Sequence, residues 1–387
     1  MPSEPRPLPD PDTACEPRRI DVALGKRSYP IWVGAGLLDR AGERLGPLLA
    51  LPRVLLVTDE TLIATGHVER LERSLTAAGI ALHRLVVPAG ERSKSMTVLG
   101  DLLERMLALG VERKMTVIAL GGGVIGDLAG FAAAVLLRGV DFVQIPTTLL
   151  AQVDSAVGGK TGINARAGKN LIGAFHQPRA VLIDTSVLDT LPRRELGAGY
   201  AEVVKYGCIL DLSFFEWLQT GAAGLLAGDE EARVRAICRS LEIKAEVVAQ
   251  DEHETTGHRA LLNFGHTFAH AYENIAGYGG TLLHGEAVSV GTVQAARLSA
   301  ALGHAPEGDA ERLRAHLDSL GMPTEPRHLR EEGFKADAVL EAMSRDKKVE
   351  GGRLTFVLWR GIGRAFVDRT VPIDALEALL IEHDRVG

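Results

Sequence analysis

Cysteine is scarce in this chain. Three occur in 387 residues, Cys15, Cys208 and Cys238, far apart and without a C-x-x-C pair. This argues against a disulfide framework, a cysteine-rich zinc site and an iron–sulfur cluster, so any metal falls to histidine and carboxylate. Long apolar runs are missing as well. The longest, around residues 128–137, is far short of the about 20 needed to span a bilayer. Excess positive charge is also missing: 43 basic against 50 acidic residues give a formal net charge of -7. Bulk electrostatics therefore attract neither nucleic acid nor an anionic membrane. The first 17 residues hold six prolines and no apolar h-region, so they read as a disordered tail and not as a signal peptide. The expectation is a soluble, cytoplasmic protein whose positive charge matters locally.

What is present is an ordinary globular composition, 46% hydrophobic and 24% charged. At about 100–200 residues per domain, the length predicts two or three domains. Two strand-like runs, 20–24 and 29–34, flank a turn at Gly25–Lys26. Further runs at 53–59, 81–88, 116–120, 142–146 and 180–185 alternate with helical stretches, including one over 94–109. That alternation implies a parallel sheet with helices on its faces. Beyond about Pro192, helical periodicity dominates 195–219, 229–249, 263–276, 284–303 and 308–320, with one late strand-like piece at 354–359. The expected fold class is α/β. A Rossmann-like parallel-sheet domain occupies 18–191, a mostly helical domain 192–387, and the cleft between them is the default place for a site.

Gly121, Gly123 and Gly126 satisfy G-x-G-x-x-G after a strand and at the start of a helix. Glycines there let backbone N–H groups approach a pyrophosphate. The acidic residue that a dinucleotide fold wants about 20 positions on lies before the next strand, as Asp141, and not at its end. The motif is therefore either a nucleotide site of another layout or a tight strand–helix turn. In 154–173, Lys160 and Lys169 sit among glycines and small polar residues, which suits an anion; a solvated loop with surface lysines is the competing reading. Residues 90–95, GERSKS, form a further polar loop at a strand end. In RALLNFGHTFAHAYE (259–273), His266 and His270 stand four apart on one helix face with Asn263 and Glu273. Thr267 follows the first histidine, so the glutamate of H-E-x-x-H is absent. His284 with Glu286, and Glu202 with Lys205, supply further candidates. Glu202 plus two histidines would suit Zn²⁺ with open positions; spacing does not tell whether one or both of the paired histidines bind.

Taken together, VIALGGGVIGDLAGF, RGVDFVQIPTTLLAQVDSAVGGKTGIN, KNLIGAFHQP, GYAEVVKYG, LLNFGHTFAHA and LLHGEAVSVG resemble the motif series of the 3-dehydroquinate synthase family, within the sugar phosphate cyclases. Their order agrees from about residue 20 to 365. The resemblance implies a cyclising, phosphate-eliminating lyase of the shikimate pathway that depends on NAD and Zn²⁺, with Co²⁺ a possible substitute, and acts as a homodimer. Its substrate would be 3-deoxy-D-arabino-heptulosonate 7-phosphate and its products 3-dehydroquinate and phosphate. The route would run through transient oxidation by NAD, β-elimination, re-reduction and intramolecular aldol closure.

By this resemblance the metal ligands are Glu202, His266 and His284, and His270 is catalytic and not a ligand. The positions assigned to NAD are Asp59, Glu91, Lys94, Gly123, Val124, Ile125, Gly126, Asp127, Thr147, Thr148, Lys160, Lys169 and Thr190. Those assigned to substrate or catalysis are Asp154, Lys160, Asn170, Lys205, Lys244, Arg259, Asn263, His270 and Lys347, with Arg138 reaching the phosphate from a neighbouring subunit. Lysines and arginines at these positions would form an anion clamp, which is how an acidic protein binds a doubly anionic sugar-acid phosphate. Other sugar phosphate cyclases, a metal-dependent polyol dehydrogenase and a non-catalytic relative are the competing classes. The first tend to differ at positions matching Arg259, Asn263, His270 and Lys347.

Overall fold

The structure, a computed structural model, describes residues 16–277, 281–344 and 354–385. Most of the expected tail (1–15), and Lys347, lie outside them. Glu16, at the end of that tail, is tied to the fold by an ion pair with Arg44 at 3.1 Å.

The first half runs β1 (Arg18–Val22), β2 (Tyr29–Gly34), α1 (Ala41–Leu45), β3 (Arg53–Asp59), α2 (Glu60–Ile63), α3 (His67–Ala77), β4 (Ala81–Val87), α4 (Met96–Ala108), β5 (Thr116–Gly121), α5 (Gly123–Val135), β6 (Asp141–Pro146), β7 (Lys160–Ala165), β8 (Gly168–Phe175) and β9 (Ala180–Asp184). Seven of these strands form one sheet in the order β1-β2-β9-β6-β5-β3-β4. All its neighbours are parallel except β1 and β2. The interior strand β5, TVIALG, is buried at every position, as a strand covered on both faces must be. Side chains alternate between the faces: Leu55, Val57, Val117 and Ala119 pack under α4 and α5, whereas Val54, Leu56, Ile118 and Leu120 pack under α1 and α3. Helices thus leave adjacent strands β3 and β5 toward opposite faces, which opens a crevice at their carboxyl ends.

The second half comprises α6 (Arg193–Leu210), α7 (Leu212–Ala227), α8 (Glu230–Gln250), α9 (His266–Ala276), α10 (His284–Ala301), α11 (Glu307–Ser319), α12 (Ala336–Ser344), β10 (Phe356–Trp359), β11 (Ala365–Asp368) and α13 (Ile373–Arg385). The helix expected over 195–219 is two helices. Asp211 ends the first, and its carboxylate accepts from the Phe214 backbone N–H at 2.9 Å to cap the second. The one expected over 263–276 starts only at His266, because Gly265 takes φ +79. The late strand at 356–359 pairs with a second, β11, to make a small antiparallel ribbon. No helix among the described residues is long and apolar enough to cross a membrane.

The core does not divide at residue 191. Val22, Ile31, Val33, Val181 and Ile183, from the β1-β2-β9 side of the sheet, belong to the same apolar cluster as Tyr206, Phe215, Leu241 and Phe268 from the helices.

Candidate active site

Glu202 projects from α6 into the protein and is 1% exposed. Neither of its carboxylate oxygens has a hydrogen-bond partner among the described residues, although Lys205 Nζ lies in ion-pair contact with Oε2. The Nε2 atoms of His266 and His284 stand 3.5 and 3.4 Å from Glu202 Oε1. These three residues offer ligand atoms that all lie within 4.8 Å of one another. His266 Nδ1 is 3.2 Å from the Phe264 carbonyl oxygen, to which it donates, so Nε2 presents its lone pair. Burial brings His266 down to about 4, against the pull of Glu202, and keeps the ring neutral. For His284 burial works in the same direction, but Glu273 and Glu202 outweigh it and raise the ring to about 10. A buried carboxylate whose Oε1 has no hydrogen-bond partner and faces two imidazoles fits a divalent cation, which would displace the His284 proton on binding. His270 lies beside the triad, its ring centre 5.6 Å from that of His266 and 6.3 Å from that of His284. Of the two histidines four apart, only His266 is in the group.

Next to the triad is a buried charge cluster. Asp154 sits on a π-turn, Ala151–Ser155. Its Oδ1 accepts from Lys244 Nζ and from the Tyr206 hydroxyl, each at 2.8 Å, and lies 3.8 Å from Lys205 Nζ. Burial favours the protonated acid, but Lys205 and Lys244 prevail and hold the carboxyl well below its usual range. Lys244 is brought down to about 8 by burial, with Arg259 and Lys205 adding to that shift and Asp154 opposing it. Arg259, itself buried, donates to the carbonyls of Glu252 and Gly158 at 2.6 and 3.1 Å. Asp251 organises that loop by accepting from the backbone N–H groups of Thr255, Thr256 and Arg259. Lys160 Nζ pairs with Glu254 at 2.5 Å. Asn263 ends the short turn that precedes Gly265.

The stretch carrying Lys160 and Lys169 is a β-hairpin, β7–β8, and not a loop. It joins two clusters. On one side the Asn164 backbone N–H donates to the Lys94 carbonyl at 2.9 Å. Asn164 Nδ2 reaches Glu91, and Lys94 Nζ bonds Asn170 and Asp127 at 2.5 and 2.6 Å. On the other side Lys169 pairs with Glu273 at 2.8 Å. Lys169 therefore faces the triad's surroundings, whereas Glu91, Lys94 and Asp127 cluster at the crevice.

Asp59, Gly123, Val124, Ile125, Gly126, Thr147 and Thr148 follow the carboxyl ends of β3, β5 and β6. Asp59 caps α2 through the Thr61 and Leu62 N–H groups. The glycines of G-x-G-x-x-G have no left-handed φ among them. Their requirement is close packing: a Cβ on Gly126 would stand 2.5 Å from Gln144 Oε1, and one on Gly123 3.0 Å from Ser155 Oγ. Thr190 is bonded to His67 Nε2 at 2.8 Å. Arg138 is exposed, within three successive left-handed residues, Leu137, Arg138 and Gly139. Glu273, Glu254, Asp251 and Tyr206 are polar residues of the site that motif reading did not assign; only Glu273 had a signal, its place on the histidine face of α9.

Family models cover most of the chain: residues 84–198 match the 3-dehydroquinate synthase N-terminal family and 199–349 the C-terminal one. The chain belongs to the 3-dehydroquinate synthase family. A 3-dehydroquinate synthase of Rhodospirillum rubrum is 59% identical over 95% of this chain and 96% of its own length. One from Caulobacter vibrioides is 54% identical over 95% of this chain and all of its own length. Among solved structures, a 2-epi-5-epi-valiolone synthase from Streptomyces hygroscopicus with NAD⁺ and Zn²⁺ bound aligns with a TM-score of 0.84 at 31% identity, covering 94% of this chain and 99% of its own. A 2-deoxy-scyllo-inosose synthase complexed with carbaglucose-6-phosphate, NAD⁺ and Co²⁺ aligns at 0.81 and 25%, over 95% of this chain and 100% of its own. The 3-dehydroquinate synthase family thus accounts for the order of the motifs and for the α/β-plus-helical architecture.

Proposed function

We propose that this chain is a 3-dehydroquinate synthase, a cyclising lyase that converts 3-deoxy-D-arabino-heptulosonate 7-phosphate to 3-dehydroquinate and phosphate. Over 59% identity along 95% of the chain, the observation that carries the reading is the Glu202–His266–His284 triad set directly against the Asp154–Lys205–Lys244 cluster. When bound, NAD would supply a reversible hydride acceptor, and Zn²⁺, or Co²⁺ in its place, a Lewis acid for the substrate's hydroxyls. Glu202, His266 and His284 would hold the metal. The crevice residues Asp59, Glu91, Lys94, Gly123, Val124, Ile125, Gly126, Asp127, Thr147 and Thr148 would hold the dinucleotide, as would Lys160, Lys169 and Thr190.

Lys160, Lys205, Lys244 and Arg259 bring positive charge to bear on a carboxylate and a phosphate, and the Asp154 carboxylate keeps two of those lysines in place. Asn170 and Asn263 offer amide donors. His270, beside the triad but outside its ligand set, is the group that holds or moves a proton at the reacting centre. Residues 18–191 form the cofactor-binding domain and 192–387 the metal and substrate domain. The active unit is a cytoplasmic homodimer to which Arg138 contributes from the neighbouring subunit, and Lys347 completes the substrate site.

One assay tests the reaction. Zn²⁺-loaded protein receives the heptulosonate phosphate with substoichiometric NAD, and phosphate, dehydroquinate and free NADH are followed together. Many turnovers per NAD, with equal phosphate and dehydroquinate and no NADH accumulation, are expected. Stoichiometric NADH without phosphate would move the chain to the polyol dehydrogenases.

A further inference from the structure

Glu273 lies beside the triad, 5% exposed, and none of the roles above falls to it. It stands seven residues after His266 on α9, two helical turns on, and so shares that ligand's face. Its two oxygens are divided between two partners. Oε2 lies 3.2 Å from His284 Nδ1, and Oε1 accepts from Lys169 Nζ at 2.8 Å. His284 Nε2, at the far side of the ring, faces Glu202.

Resting on the reading of His284 as a metal ligand, we propose that Glu273 is a positioning residue. It accepts from His284 Nδ1, fixes the ring's orientation and directs Nε2 at the metal. A carboxylate in this place selects the tautomer whose Nε2 is free to ligate and increases the basicity of that nitrogen. Lys169 has a separate part. By occupying Oε1 it leaves Oε2 as the oxygen turned toward the imidazole. The metal ligand is thereby connected, through one carboxylate, to the turn end of the hairpin, where Asn164 and Asn170 touch Lys94.

The test measures metal binding without turnover. Apoprotein is titrated with Zn²⁺ against a chromophoric chelator, and visible absorption bands of the Co²⁺-loaded protein are recorded. Glu273→Gln keeps the shape and removes the charge. It is expected to weaken Zn²⁺ binding by about 10–100-fold and to shift the Co²⁺ bands, with circular dichroism as in the parent. His284→Ala sets the scale with a larger loss, and Lys169→Met is expected to lose less than Glu273→Gln.

Parent affinity and bands in Glu273→Gln, beside a lost site in His284→Ala, would overturn the proposal and leave the ligand reading standing. Parent affinity in His284→Ala would overturn the ligand reading itself, and the proposal with it. Equal losses in Lys169→Met and Glu273→Gln would make Glu273 a counter-ion of the lysine and also overturn it. Should Glu273→Gln fail to fold, Glu273→Asp keeps the charge but withdraws the oxygen. An intermediate loss supports the proposal, and parent affinity refutes it.

Discussion

Asp154 neutralises a pair of ammonium groups that have little access to water, since Lys205 is 1% and Lys244 4% exposed. Replacing it by Asn leaves both cations buried with one carboxylate, Glu202, still near Lys205. Asp154→Asn is expected to cost about 3–5 kcal/mol, read as a lower urea midpoint at pH 7. Lys244 yields a pH prediction. Burial lowers its pKa to about 8, so raising the pH through that value removes a positive charge from the proposed substrate site. kcat/KM should fall on the alkaline side near pH 8, and Lys244→Arg, whose charge persists, should move that fall upward. At this scale residue types were legible and partners were not. The pair His266 and His270 advertised a metal through its i, i+4 spacing, but the structure gathers only the first of them with Glu202 and His284. Glu202 and His284 lie 82 positions apart in sequence, a distance over which spacing says nothing.

Three helices deliver the Glu202–His266–His284 triad, and glycines govern how closely they meet. A Cβ on Gly285 would overlap the Ala198 carbonyl, where α10 starts against α6 one turn before Glu202. A Cβ on Gly291 would likewise meet the Gly265 carbonyl between α10 and α9. Gly285→Ala is therefore expected to push α10 off α6, costing at least about 1–3 kcal/mol and separating His284 from Glu202. Thermal unfolding and Zn²⁺ uptake against a chelator should both report it. Gly308→Ala, where a Cβ meets nothing within 4 Å, is the control and should be neutral or gain about 0.4–1 kcal/mol. The inner strands were readable because runs such as 117–120 are apolar throughout. The β7–β8 hairpin was not: Gly162, Gly168 and Gly173 thin out its side chains, and exposed Leu171 and Ile172 break the alternation that marks a strand. The helix over 195–219 read as continuous because both halves are apolar on the same period, and only the Asp211 cap separates them.

Across the whole molecule, the apolar cluster runs from β1, β2 and β9 into α6–α10 without a seam. The change from an alternating to a mostly helical pattern near Pro192 was visible in the sequence, because periodicity is local. The shared core was not, because it depends on which sheet face meets which helix. A fragment ending at residue 191 should accordingly keep an uncovered apolar face over Ile31, Val33, Val181 and Ile183. It is expected to bind a hydrophobic dye and aggregate, whereas the full chain unfolds in one calorimetric transition. The same feature bears on how the protein is made. The sheet's last strand ends at Asp184, but its covering helix α8 ends only at Gln250. At about 5–20 residues per second of synthesis, that interval lasts roughly 3–13 s. For that time the nascent chain offers a finished, greasy surface to whatever else is leaving the ribosome, and chaperone demand should be concentrated there.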